Sequence, residues 1–122
     1  MDITPLIDSD QHVIQSYSSD GVKISGQVYA HSVLVAPHYA TQWPHSTPLT
    51  LADFQPLIDV ADSIDVVLLG TGSKMVFLAP DLKKALRAHD LHVECMDTGA
   101  ACRTYNVLMA EGRRVVAALL PL

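Results

Sequence analysis

The sequence predicts an α/β domain in which parallel strands are joined by crossover helices and the N-terminal strands form an antiparallel addition. Three observations carry that expectation. Residues 64–69 are an almost continuously apolar run, as a strand covered on both faces requires. From residue 53 onward, helical and strand patterns alternate in the order of a sheet built from crossover units. Before residue 53, short β-branched and aromatic runs are punctuated by turn residues, which is how hairpins read.

The chain has 122 residues, 49% of them hydrophobic, enough for one sizeable core, so a single domain over residues 1–122 is expected. A net charge of −5 with only eight, scattered, basic residues excludes the cationic surface that neutralises nucleic-acid phosphates. No apolar run approaches the roughly 18 residues of a bilayer span. The opening Met1-Asp2-Ile3-Thr4-Pro5 has no basic segment followed by an apolar one, and Cys95 and Cys102 lack CxxC spacing. A cytoplasmic protein with reduced thiols is expected.

Along the chain, residues 12–17 and 22–24 read as strands around a hairpin turn at Ser18-Ser19-Asp20-Gly21, whose Asp-Gly pair supplies the positive-φ conformations. Residues 27–35, rich in β-branched and aromatic side chains, read as one further strand. "PHYATQWPHSTP", residues 37–48, has three prolines and no apolar period, and is expected to be a long surface loop. Leu51, Phe54, Leu57, Ile58 and Ala61 then fall on one helical face, with Asp53 as N-cap and Pro56 in the first turn. After the strand at 64–69 come a short segment at 75–78, a helix at 80–89 begun by Pro80, and a strand at 91–96. Residues 98–111 read as a helix with Thr98 as N-cap and Gly112 just past its end, and residues 115–120 as a last buried strand.

Two turns are candidates for a ligand cleft. "LLGTGSK" places Gly70, Thr71, Gly72, Ser73 and Lys74 after an apolar strand, as in a dinucleotide-binding loop, but Met75 stands where G-x-G-x-x-G needs its third glycine. The phosphate-loop pattern fails too, because Ser73 precedes Lys74 where a glycine is required. Backbone geometry is the plainer use of those glycines. In "MDTGAACRTYN" a strand runs into a helix N-terminus, so Asp97, Thr98 and the first N–H groups could favour an anion, with Arg103 and Lys74 as cations. Capping is the plainer role of Asp97 and Thr98. If both strands are parallel, both turns lie at the carboxyl edge of one sheet, where open α/β sheets usually hold ligands.

Other chemistry is sparse. Cys102, in the first turns of its helix, has no adjacent histidine base, and a buried hydrophobe is the expectation for both cysteines. The six histidines form no HExxH and no i, i+4 helical pair, so no metal and no cofactor is expected. Neither a G-x-S-x-G elbow nor a convincing carboxylate pair is present. His38, Tyr39, Trp43 and His45 cluster in the proline-rich loop as a candidate partner surface, with folding back onto the domain as the alternative. In "EGRR", Gly112 ends a helix, and Glu111 with Arg113 is expected to be structural, as an ion pair.

The run "ECMDTGAACRTYNVLMAEGRRVVAALL" resembles the small-domain family containing the mitochondrial complex I assembly factor 3 and its uncharacterised bacterial and archaeal relatives. Met96-Asp97-Thr98, Thr104-Tyr105-Asn106 and Glu111-Gly112-Arg113 are its most specific parts, the GTG turn fits as well, and nearly the whole chain is compatible. The resemblance implies a three-layer α/β fold with a mixed central sheet, crossover helices and an extra β-hairpin layer. It implies a non-enzymatic assembly or adaptor role with a protein partner, in this chain without an Arg-rich leader and so of bacterial look. The alternative is a small-molecule or anion-binding protein or enzyme using the two turns. A homo-oligomer is compatible with either.

Overall fold

The computed structural model describes residues 1–4 and 11–122. Strands β1 (Ile14–Ser18), β2 (Gly21–Ile24) and β3 (Gln27–Tyr29) form a small antiparallel sheet in sequential order. The larger sheet takes β4 (Val33–Ala36), β5 (Tyr39–Gln42), β6 (Val66–Gly70), β7 (Val93–Met96) and β8 (Val115–Leu119) in the order β5-β4-β8-β6-β7. β6 is parallel to both β7 and β8, whereas β4 runs antiparallel to β8 and β5 antiparallel to β4. The mixed, partly parallel sheet is thus as expected.

Two crossovers explain the layering. Helix α2 (Pro80–Ala88) leads from β6 to β7, and helix α3 (Thr98–Ala110) carries the chain back over β6 to β8. β8 therefore sits at the centre, and all five of its residues are buried. Val115, Ala117 and Leu119 face a core shared with Ala101, Cys102, Tyr105 and Met109 of α3 and with Ile14, Val22 and Ile24 of the small sheet. Val116 and Ala118 face a second core, with Trp43, Phe54, Leu57 and Leu86. Period-two alternation in a strand buried on both sides separates two cores by one residue. The three layers are α3 with the small sheet, the central sheet, and α2 with the short α1 (Gln55–Ile58).

Three expectations need correction. The run at 27–35 is two strands in two sheets: the chain leaves the small sheet after Tyr29 and enters the large one at Val33. The expected loop at 37–48 contains β5, a hydrogen-bonded edge strand, because Pro37 and His38 form only the turn that reverses β4. The helix around Asp53 is a 3-10 turn (Leu51–Phe54) followed by one turn of α1. Pro56 has no N–H to bond back to residue 52, so the preceding turn tightens instead. Its cap is Thr50, and Asp53 at the third position accepts the backbone N–H of Thr50 at 2.7 Å and of Ser46 at 2.9 Å. The first hairpin turns where expected, Ser18 pairing with Gly21 around Ser19 and Asp20.

Candidate functional site

The carboxyl ends of the three parallel strands lie together: Gly70 pairs with Met96 on one side and with Leu119 on the other. The two candidate turns therefore share a pole, and they are bonded to one another. Asp97, not Thr98, caps α3, its carboxylate accepting the Ala100 N–H at 2.9 Å. Thr98, fully buried, donates its N–H to the Gly72 carbonyl at 2.8 Å. Its hydroxyl accepts the Gly72 N–H at 2.8 Å and donates to the Leu120 carbonyl at 2.7 Å. The N–H groups of Gly72, Thr98 and Ala100 are thus turned toward protein.

Both glycines are explained by this contact. A Cβ at Gly70 would lie 2.9 Å from both Cα and Oγ1 of Thr98, closer than any packing allows. Gly72 has φ of +102°, a left-handed conformation that a side chain would strain. They serve the closing of two turns. Ser73 and Lys74 are exposed on the rim. Arg103 is directed elsewhere: its guanidinium donates to the Tyr17 hydroxyl and lies 5.9 Å over the Tyr17 ring, against the small sheet. Of the residues expected to form one cleft, the structure joins Gly70, Gly72, Asp97 and Thr98 through hydrogen bonds and packing, and separates Arg103 from them.

A cavity of about 310 Å³ does open at this pole, beside those turns. Leu69 and Leu120 line it together with residues 45–49 and with Thr71, Val76, Phe77, Leu78 and Leu82. Of the expected cleft residues only Thr71 lines it, and Thr71 organises its outer wall. The Thr71 hydroxyl donates to the Lys74 carbonyl at 2.7 Å and accepts the Val76 N–H at 3.0 Å, while its own N–H is bonded to Met96 O at 2.8 Å. The loop so pinned presents Met75, Val76 and Phe77 to solvent, Phe77 with 75% of its surface exposed. Sequence reasoning noted this segment without assigning it a role; three successive apolar residues outside any strand or helix were the signal.

The candidate partner surface is dispersed. Trp43 is buried, its indole N–H donating to the Asp53 carbonyl at 2.9 Å and its ring meeting Phe54 edge-on at 5.5 Å. Folding back is the outcome here, since a large apolar ring next to the second core gains more from burial than from exposure. His45 shares a 2.8 Å hydrogen bond with the buried Ser32 hydroxyl. His38 and Tyr39 lie at the opposite pole, with β5 spanning the distance between them and Trp43.

Elsewhere the structure explains why chemistry is muted. Burial pushes the Cys102 thiol up to about 12, with the Arg103 charge opposing only weakly, while Cys95 is half-buried. Tyr105 is raised by the same burial, and its hydroxyl donates to the His12 carbonyl at 2.8 Å. Its neighbour Asn106, also buried, accepts the Ile14 N–H at 3.0 Å and donates to the Ile14 carbonyl at 2.8 Å, acting as a strand partner for β1. In "EGRR" the expected Glu111–Arg113 pair is replaced by Arg114 with Asp65 at 2.9 Å, the ion pair found among the described residues. Among those residues no group of three or more His, Cys, Asp or Glu could hold a metal ion, and no helix is long and apolar enough to cross a membrane.

Comparison with known proteins bears on the whole fold. Residues 14–120 match the family described as protein of unknown function, DUF498/DUF598. The mouse NADH dehydrogenase (ubiquinone) 1 alpha subcomplex assembly factor 3 is 36% identical over 110 residues, which are 88% of this chain and 60% of that protein. This chain thus spans less than two thirds of the length of that relative. An uncharacterised protein of Rhodobacter capsulatus is 35% identical over 109 residues, 89% of this chain and 84% of the relative. A crystal structure from Bordetella parapertussis superposes with a TM-score of 0.82 at 36% identity, covering 92% of this chain and 97% of that one. With the match running from the first strand to just past the last, the chain belongs to the DUF498/DUF598 family, which it shares with the complex I assembly factor 3 proteins.

Proposed function

We propose that this chain is a non-enzymatic, protein-binding assembly module, one that aids assembly of a respiratory membrane complex by docking through the Met75-Val76-Phe77 ridge. The observation that carries the reading is an exposed apolar ridge held in one conformation by the Thr71 hydroxyl. Burying apolar side chains on association is favourable, and a loop already ordered loses little further entropy when it docks. A floppy hydrophobic loop would lack that advantage. The kinship with assembly factors of NADH dehydrogenase supports the choice of partner. A cytoplasmic location belongs to the same reading.

The test is affinity capture of the tagged chain from detergent-solubilised cells that naturally make it, with NADH dehydrogenase subunits quantified against a tag-only control. Capture of those subunits is expected, with a loss of about tenfold or more for Phe77→Asp, the size of a hot-spot contact. If wild type and Phe77→Asp recover the same amounts, the ridge is not the docking surface. If no such subunit is enriched, the assembly reading fails.

A further inference from the structure

At the other pole, where the parallel strands begin, lies a cavity of about 390 Å³. We propose that it binds a small organic anion, a carboxylate carried on an apolar body. Its floor is apolar: Ala36 comes from β4, Val116 from β8 and Met109 from α3, all buried, and residues of this kind give a ligand's hydrocarbon part a place out of water. Its rim is cationic, with Arg113 and Arg114 beside His38 and Tyr39. In a chain of net charge −5 with eight basic residues, two adjacent arginines meet on this cavity mouth, one of them, Arg114, answered by Asp65.

The two arginines are not equivalent. Arg114 is engaged, bonded to the Asp65 carboxylate at 2.9 Å and to the Asp62 carbonyl at 3.2 Å. Arg113 has no carboxylate within ion-pair distance among the described residues. Its position is fixed by the way α3 ends. Gly112, with φ of +81°, turns the chain off the helix, the Gly112 N–H bonding to Met109 O at 3.0 Å and the Arg113 N–H to Leu108 O at 3.0 Å. Those bonds take up the Met109 and Leu108 carbonyls in the last turn of α3, which lessens the partial negative charge an anion would meet there. An exposed arginine on the rim of a cavity with apolar lining selects a ligand with one charged end: a cation is repelled, and a neutral molecule leaves Arg113 without its partner. A volume of this size falls within the ~300–1,000 Å³ range of small-molecule sites. The docking ridge lies at the far end of the sheet and takes no part in this site.

The experiment is a titration of the isotopically labelled full chain, followed by amide NMR shifts, with octanoate, octanol and octylamine as probes below their aggregation limits. Octanoate is expected to saturate and to move the signals of Ala36, Met109 and Val116, with octanol weaker by about fivefold or more, the size of a partly exposed charge-assisted contact. Arg113→Gln should bring octanoate down to the octanol level. Val60→Glu, which puts a carboxylate on the same rim at a half-exposed position, should weaken octanoate further and leave the remaining spectrum intact. Equal affinities for the three probes, no saturable octanoate binding, shifts confined to residues 75–77, or an unchanged affinity in Arg113→Gln would each overturn the proposal.

Discussion

At the carboxyl end of the central sheet, Thr98 ties the Gly72 turn and the Leu120 carbonyl into one hydrogen-bonded knot, and beside it Met75, Val76 and Phe77 stand exposed. The amino end instead keeps an arginine with no ion-pair partner among the described residues over an apolar hollow. Open α/β sheets usually place ligands at the first of these ends. Here the Thr98 and Ala100 N–H groups at the start of α3 are taken by the Gly72 carbonyl and the Asp97 carboxylate, and the exposed apolar ridge is the feature the proposed docking uses. At the other end the Gly112 and Arg113 N–H groups take up the Met109 and Leu108 carbonyls, which lessens the partial negative charge an anion would meet there. The main-chain groups already satisfied at each end decide the kind of partner that end can take.

The contrast can be broken most severely at Trp43. If its ring is core on the carboxyl side, Trp43→Ala should lower unfolding free energy by about 3–5 kcal/mol, read from urea midpoints. A loss below about 1 kcal/mol would return Trp43 to the surface. Next in size is Thr98→Val, which keeps the shape of the side chain and removes the hydroxyl. It leaves the Gly72 N–H and the Leu120 carbonyl buried without that partner, at a cost of about 2 kcal/mol. A neutral result there would mean that the knot is replaceable and the pole open to an anion after all.

Phe77→Asp sharpens the difference from the opposite direction. Because the ring is exposed, stability should change by less than about 0.5 kcal/mol while partner capture falls. A cooperative loss of stability would show that the ridge packs on its own domain.

The smallest effect expected is at the amino end. Hydrogen bonds from Arg114 hold the Asp65 carboxyl below its ordinary range. A carboxyl depressed in the folded state stabilises the fold above its unfolded pKa, and that contribution fades as pH falls through the folded value. Asp65→Asn should therefore flatten the acid limb of the stability profile between about pH 6 and about pH 2, slightly, and less so at high salt because both partners are exposed. Identical profiles for both proteins would show that the Asp65–Arg114 contact does not perturb folding.

Much of this architecture is legible along the chain because its signals are local. The apolar run ending at Leu69, Pro80 at a helix start and Gly112 at a helix end each act within a few residues, and each is found where expected. The misread places have causes at a distance. β5 carries no strand pattern of its own beyond Tyr39 and Thr41, and it becomes a strand because β4 offers it a ladder. Ala30 and His31 look like strand interior until the chain has two sheets to serve. In the candidate site, capping by Asp97 was readable, but not the role of Thr98: its hydroxyl leaves the cap and reaches across 26 residues of sequence to Gly72.

Asn106 and Tyr105 make the same point. The triplet Thr104-Tyr105-Asn106 is conspicuous in the sequence, and nothing local says why. Only in the folded chain do the Tyr105 hydroxyl and the Asn106 amide meet the backbone of His12 and Ile14, more than 90 residues earlier, and fasten the small sheet to α3.

From residue 64 onward the letters alone carry the order of strands and helices and the buried run of β8, because propensity, capping and burial period are written in neighbouring residues. Tertiary structure alone decided which polar groups were consumed and which stayed available, since a hydrogen bond depends on where its partner arrives in space. That is why the GTG turn is closed and Trp43 buried, and why the cavity beneath Arg113 could not be read from its letters.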